Sequence, residues 1–137
     1  MKALIDTNVI MDVLMNREPY AEHSIAFLKL CGVNVTGCIA ASQTTDIFYL
    51  LTRQGKDVDT ARNIVKDLTN NLTLLDVLAK DVTAAFSIPM KDFEDALIAQ
   101  CARRARVDYI ITRNEKDFIN SPVPAYTPIE YLERFSL

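Results

Sequence analysis

Short apolar runs alternate with longer amphipathic segments along this chain of 137 residues. Such alternation is typical of an α/β fold with a parallel sheet. The first and fourth apolar runs contain almost no polar residues, as expected of strands that are covered on both faces. Asp76 interrupts the third run, which indicates a strand nearer an edge. The predicted strands are 2–5, 34–38, 73–77 and 109–112, with a weak fifth at 125–126.

The segments between these runs carry apolar residues at helical spacing. Asp59 or Thr60 is expected to cap the fourth helix. The sixth helix has an acidic first turn and arginines in its last turn, which is the arrangement that the helix dipole favours. The predicted helices are 9–14, 20–31, 41–54, 61–68, 82–86, 92–106 and 128–135.

The composition predicts one ordered domain covering residues 1–137. Half of the residues are hydrophobic and 24% are charged. No apolar run approaches the ~20 residues of a membrane span, and an acid at position 6 argues against a signal peptide. The three cysteines form no Cys-x-x-Cys pair, so we expect buried thiols, neither a disulfide framework nor a zinc site, and a reducing cytoplasmic location.

Polar residues that can bind a cation recur near the ends of the predicted strands. Asp6 directly follows the first strand, and Asn114 and Asp117 follow the fourth. Asp46 lies in the helix after the second strand, and Asp95 begins the sixth helix. The carboxyl ends of parallel strands line the ligand crevice, where gathered carboxylates repel one another unless a cation neutralises them. Hard oxygen ligands suit Mg²⁺ or Mn²⁺, so the pattern predicts metal-assisted attack on a phosphodiester.

Each acid also has a structural interpretation. Asp6 could cap the helix that follows it, and capping can coexist with metal binding. Asp95 could complement the helix dipole, and Asp46 could begin a helix. Asp92 is expected to cap its helix or to support the site, and Glu94 is expected to be solvated.

Other kinds of site are less compatible with the sequence. The single histidine, His23, leaves no Ser-His-Asp or Cys-His triad in prospect. No glycine-rich phosphate loop or dinucleotide fingerprint occurs. The net charge of −3 does not by itself indicate a nucleic-acid binder. Arg113 is a candidate phosphate contact, with a solvated arginine as the equal alternative.

Four motifs in this order resemble the PIN domain, the family that includes the VapC-type toxins of prokaryotic toxin–antitoxin systems. The resemblance covers nearly the whole chain. It implies a three-layer α/β/α sandwich around a central parallel sheet of four to five strands. The motifs are Leu4-Ile5-Asp6-Thr7-Asn8, the acid Asp46 after the second strand, Asp95-Ala96-Leu97-Ile98-Ala99, and Ile110-Ile111-Thr112-Arg113-Asn114-Glu115-Lys116-Asp117-Phe118.

The resemblance also implies a function. A PIN domain of this kind would be an endoribonuclease that cleaves single-stranded RNA by water activated on Mg²⁺ or Mn²⁺, with an antitoxin protein as partner and a homodimer as assembly. Asp46 stands where the family more often has Glu, and Asn114 stands where an Asp is often found. Asp117 is expected to compensate for the missing charge. The implied catalytic residues are Asp6, Asp46, Asp95, Asn114 and Asp117, of which Asp6, Asp95 and Asp117 would bind the metal.

Two alternatives stay open. A receiver-type phosphoacceptor domain is also α/β, but it needs an acidic pair after the first strand, and Asp6-Thr7-Asn8 does not supply one. A PIN-like fold without useful catalysis would act as an RNA- or protein-binding module. Asn114 and the short side chain of Asp46 keep that alternative open.

Overall fold

The computed structural model describes residues 1–135, and the strands within this range form a five-stranded parallel sheet with the order β3-β2-β1-β4-β5. The third strand lies at an edge, as Asp76 predicted. The second strand begins two residues later than expected. The chain first makes a turn through Gly32, whose N–H donates to the Val35 carbonyl at 2.7 Å. The strands are β1 Lys2–Ile5, β2 Thr36–Ala40, β3 Thr73–Leu75, β4 Tyr109–Ile111 and β5 Ala125–Tyr126.

The helices occupy the predicted segments with two corrections at their starts. The expectation that Asp59 or Thr60 caps α4 was wrong, because the Asp57 carboxylate accepts from the Thr60 N–H at 2.8 Å. Helix α5 begins earlier than predicted, because Asp81 accepts from the Leu78 N–H at 2.9 Å and closes its first turn. Within residues 1–135 the helices are α1 Thr7–Leu14, α2 Ala21–Leu30, α3 Ala41–Arg53, α4 Val58–Asn71, α5 Ala79–Ala85, α6 Phe93–Arg104 and α7 Pro128–Phe135.

Helices cover both faces of the sheet and give the predicted three-layer α/β/α sandwich. Successive residues of a strand point to opposite faces. In β1, Ala3 and Ile5 pack into a core shared with helices α1 to α4 and α7, whereas Leu4 packs into a second core with α6. Of the three free cysteines, Cys38 and Cys101 are buried and Cys31 is partly buried. No helix within residues 1–135 has the length and apolar character needed to cross a membrane.

The strand order places a crevice between β1 and β4. The chain passes from β1 to β2 and β3 on one side, then crosses to β4 and β5 on the other. The connections that leave β1 and β4 therefore diverge, and ligands of open α/β sheets bind at such a reversal, outside the carboxyl ends of the strands. Asp6 directly follows β1, and the segment 112–117 directly follows β4. The fold thus brings two of the sequence motifs to one edge of the sheet.

Candidate active site

Asp6 lies at the carboxyl end of β1 and is 9% exposed. Its Oδ1 accepts the Thr7 N–H at 2.8 Å, and its Oδ2 accepts the Thr112 hydroxyl at 2.8 Å. Burial raises the pKa of the Asp6 carboxyl, the two hydrogen bonds partly offset that rise, and the negative charges of Asp117 and Asp92 add to it. Each carboxylate oxygen has a second lone pair, so the capping role leaves Asp6 able to bind a cation.

Asp95 faces the same crevice from the first turn of α6. Asp92 caps this helix as predicted, and its Oδ1 accepts the Asp95 N–H at 3.0 Å. Burial raises the pKa of the Asp95 carboxyl to about 7, and the charges of Asp6, Asp92, Asp117 and Glu94 contribute to the rise. Asp6 and Asp95 therefore share one electrostatic environment, although 89 positions separate them in the sequence.

Glu94 and Asp46 form a second acidic pair. Glu94 is exposed, as expected, but partial desolvation, the charge of Asp46 and a hydrogen bond with Asp46 raise its pKa to about 7, with smaller contributions from Asp92 and Asp6. Asp46 lies well inside α3, so the interpretation of Asp46 as the start of a helix was wrong. Through Glu94 the structure connects Asp46 to the acids around Asp6.

Asn114 and Asp117 are both exposed on the segment that follows β4. Asn114 precedes a short 3-10 helix, Glu115–Phe118, but its side chain does not cap that helix. Its backbone N–H donates to the Thr112 hydroxyl oxygen at 3.1 Å, so its position depends on Thr112. Asp117 lies close enough to Asp6 and Asp95 for its charge to raise the pKa of each.

A cavity of about 450 Å³ adjoins the acids and carries both signs of charge on its walls. Asp95 and Asp117 line it together with Lys91 and Lys116. The sequence analysis missed these two lysines. They place two positive charges beside the carboxylates of the cavity wall.

Gln43 is a further residue that sequence reasoning missed. Its side chain is 1% exposed, and its Nε2 donates to the Ile5 carbonyl at 2.8 Å and to the Thr7 hydroxyl at 3.2 Å. Its Oε1 accepts the Ala40 N–H at 2.7 Å. Gln43 thus joins the ends of β1 and β2 and fixes the start of α3, one turn before Asp46. Gln43 lies three residues after Ala40, the N-cap of α3, where a capping box has its Gln, and its place in the first turn of the predicted helix 41–54 was the available signal.

Arg113 is partly exposed, and its side chain pairs with an acid on α1. Its Nη1 donates to Asp12 Oδ1 at 3.2 Å. Its guanidinium carbon lies 4.3 Å from the centroid of the Tyr20 ring. The ion pair with a buried acid on α1 was not predicted, and the phosphate contact of Arg113 stays a prediction.

The acids suit a divalent cation in charge and donor type. Within residues 1–135 no three His, Cys, Asp or Glu side chains form a group that could hold a metal ion. Mg²⁺, however, usually keeps several waters and uses only one or two protein carboxylates. Asp6 and Asp95, with Asp117 beside them, meet that smaller requirement. Burial and the charges of neighbouring carboxylates raise the pKa of both Asp6 and Asp95, and a bound cation would offset both effects.

Comparison with known proteins identifies the family. A model of the PIN domain matches residues 2–116. The chain belongs to the PIN domain family. The resemblance drawn from the four motifs is therefore confirmed.

Relatives of this PIN domain support the assignment over nearly its whole length. It is 24% identical over 141 residues to Ribonuclease VapC1 of Aquifex aeolicus, with 98% of this chain and 96% of the relative covered. Its fold is similar to a structure of VapBC2 from Rickettsia felis bound to a DNA fragment from their promoter, with TM-score 0.72, 17% identity, and 93% and 98% of the two chains covered. It is also similar to VapBC-1 from nontypeable Haemophilus influenzae, with TM-score 0.71, 15% identity, and 94% and 99% covered. The two structures confirm the fold.

Proposed function

We propose that this PIN domain is a Mg²⁺- or Mn²⁺-dependent endoribonuclease that hydrolyses single-stranded RNA. The observation that carries the proposal is the raised pKa of Asp95, about 7, produced by burial and by the charges of Asp6 and Asp117 in one crevice. Perturbed acids in a cleft are typical of active sites. Similarity to Ribonuclease VapC1 of Aquifex aeolicus favours RNA as the substrate.

In this mechanism Asp6 and Asp95 would hold the ion, and Asp117 would contribute negative charge. When bound, the ion supplies Lewis-acid activation of water and neutralises charge that develops on the phosphate. Thr112 orients Asp6 by donating its hydroxyl at 2.8 Å. Asn114 offers a carbonyl oxygen at the rim of the crevice. Because its side chain is a neutral amide, it adds no negative charge to the site.

Proton transfer is assigned to the Glu94 carboxyl. Its pKa of about 7 means that it is partly ionised at neutral pH, as a general base should be. Asp46 maintains that pKa through its charge and its hydrogen bond. Lys91 and Lys116 bind the phosphates on either side of the scissile bond from the wall of the crevice.

We also propose that an antitoxin protein is the partner and that the pair acts in the cytoplasm. The solved structures with the same fold from Rickettsia felis and Haemophilus influenzae are of VapBC pairs, which supports a toxin role for this chain. A homodimer remains part of the proposal. The adjacent reading frame should then encode a small DNA-binding protein.

A second candidate is a PIN domain that binds RNA or protein without cleaving. Two observations favour it: Asn114 carries no charge, and within residues 1–135 no group of three acids is placed to bind a metal ion by itself. One experiment, cleavage of a labelled single-stranded RNA, distinguishes the two functions.

The test uses purified protein with Mg²⁺, with Mn²⁺ or with chelator. We expect cleavage only with metal, and we expect Asp95→Asn to reduce it on the order of 100-fold or more. Asp59→Asn is the matched control, because Asp59 also lies in the first turn of a helix but outside the acidic cluster. Full cleavage in chelator, or equal rates for Asp95→Asn and Asp59→Asn, would overturn the proposal.

A further inference from the structure

Asp12, on α1, is a buried carboxylate with incomplete hydrogen bonding. Its side chain is 0% exposed. Oδ1 lies 3.2 Å from Arg113 Nη1 and 3.8 Å from Arg17 Nη1, whereas buried Oδ2 has no hydrogen-bond partner. Burial raises the pKa of Asp12, and the charges of Arg113 and Arg17 offset the rise only in part. A buried polar atom without a partner is costly, so its presence calls for an explanation.

The same chain contains a complete pair of the same kind. Asp81 is also 0% exposed, and Arg104 Nε donates to its two oxygens at 2.9 and 3.0 Å. The Leu78 N–H donates to Asp81 at 2.9 Å. Burial alone would raise the Asp81 pKa, but the hydrogen bonds from Arg104 and Leu78 lower it overall. This pair joins α5 to α6. It is an example, in this fold, of a buried ion pair that has complete hydrogen bonding and serves packing.

Arg113 connects Asp12 to the segment that carries Asn114 and Asp117. Three contacts, at successive positions along α1, hold that segment against the helix. The Thr112 hydroxyl donates to Asp6 at 2.8 Å, and the Arg113 N–H donates to the Asn8 side chain at 3.2 Å.

The third contact is the ion pair, which lies about 9 Å along α1 from Asp6, since a helix rises 1.5 Å per residue. Tyr20 packs on the guanidinium at 4.3 Å and fixes its plane from the other side. Arg113 is therefore held by its backbone, by Asp12 and by Tyr20. Such triple fixation leaves the residues after Thr112 little freedom relative to Asp6.

We propose that Asp12 and Arg113 form a latch that fixes segment 112–117 against α1 and so sets the positions of Asn114 and Asp117 relative to Asp6. Both are positioning residues, because they act on the metal site through the backbone of this segment. The inference rests on the proposed metal-dependent function. It also predicts a property of the metal-free protein, the rigidity of segment 112–117.

The experiment compares two sets of variants. The latch set is Asp12→Asn, Arg113→Met and the double variant, and the control set is Asp81→Asn and Arg104→Met. Amide hydrogen exchange of segment 112–117 is measured without metal, and Mg²⁺ affinity is measured by calorimetry. We expect faster exchange in the latch set and Mg²⁺ binding weakened by about 10- to 100-fold, as for other groups that orient metal ligands.

The control variants should lose stability but keep wild-type exchange in segment 112–117 and wild-type Mg²⁺ affinity. The double latch variant should be no weaker than the weaker single variant, because the two residues act as one unit. If Arg113→Met does not fold, Arg113→Lys keeps a cation beside Asp12 but loses the planar group that packs on Tyr20. It should then show the same faster exchange.

Unchanged exchange in folded latch variants, or an equal loss of Mg²⁺ affinity in the control set, would overturn the latch. If the wild type binds no Mg²⁺ and cuts no RNA, the proposed function fails. In that case the exchange data still test the latch. Faster exchange of segment 112–117 in the latch set only would support it.

Discussion

Asp95→Asn should make the metal-free protein more stable at pH 8, although the substitution removes a first-turn charge that the helix dipole favours. The Asp95 pKa is raised from 3.8 to about 7 by burial and by neighbouring carboxylates. Each tenfold change in proton affinity is worth about 1.4 kcal/mol, so the full rise would correspond to about 4 kcal/mol. Because the side chain is only partly buried, solvent screening reduces this to about 1–2 kcal/mol. Losing the interaction with the helix dipole costs about 0.3–1 kcal/mol. The net gain is about 1 kcal/mol.

The effect should depend on pH in a defined direction. A carboxyl with a raised folded pKa binds its proton more tightly when folded, so its ionisation destabilises the fold as pH rises from about 4 to 7. Above pH 7 the penalty is complete, and below pH 4 it is absent. The gain from Asp95→Asn should therefore be present at pH 8 and vanish near pH 4. Saturating Mg²⁺ should reverse the order at pH 8, because it stabilises the wild type more than the variant.

The assay is urea denaturation followed by circular dichroism, in chelator, at both pH values. Asp59→Asn is the control, and it should lose about 0.3–1 kcal/mol at pH 8, because it removes a first-turn acid without relieving repulsion. If Asp95→Asn were less stable than wild type at pH 8 by the same amount as the control, the hypothesis that neighbouring carboxylates repel Asp95 would be refuted. Asp95 would then only complement the helix dipole.

Three further predictions concern the supports of the site and its titration. Gln43→Ala should lower the free energy of unfolding by about 2–3 kcal/mol in urea, because it leaves two buried backbone groups without partners; a loss below about 0.5 kcal/mol would contradict the role of Gln43. Asp57→Ala should cost about 1 kcal/mol by removing the cap of α4, with RNA cleavage unchanged; a parallel loss of cleavage would place α4 in the site. Mg²⁺ affinity measured by calorimetry should rise from pH 6 to pH 8 as Asp95 loses its proton and as ionised Glu94 adds negative charge beside it, and a flat profile would remove Asp95 from the metal site.

The sequence predicted the sheet well because both faces of a parallel strand are buried. Its strands then appear as apolar runs, and β1 was found to the residue. The limits of β2 were missed because a turn closed by Gly32 uses residues with strand propensity. The cap of α4 was missed because Asp57, Asp59 and Thr60 are all good caps, and only geometry selects Asp57.

Candidate site residues could be predicted from the sequence where a single strand or helix determines their position. Asp6 ends a strand and Asp95 begins a helix, and both features can be read locally. Glu94 is exposed as expected, but its raised pKa could not be read from the sequence, because it depends on Asp46, 48 positions away. The ion pair of Arg113 could not be predicted for the same reason, since its partner Asp12 lies 101 positions away. Whether Asp6, Asp46, Asp95, Asn114 and Asp117 act together in catalysis stays a prediction.

The chemistry of the RNA ends tests the central claim most directly. A short single-stranded RNA with a label at each end is cut with Mg²⁺, and the new termini are identified by mass spectrometry. Water activated at the Asp6–Asp95 site needs no 2′-hydroxyl nucleophile, so we expect 5′-phosphate and 3′-hydroxyl ends that do not form in chelator. Ends carrying a 2′,3′-cyclic phosphate, or 5′-phosphate ends formed at the same rate in chelator, would contradict metal-dependent hydrolysis by this PIN domain.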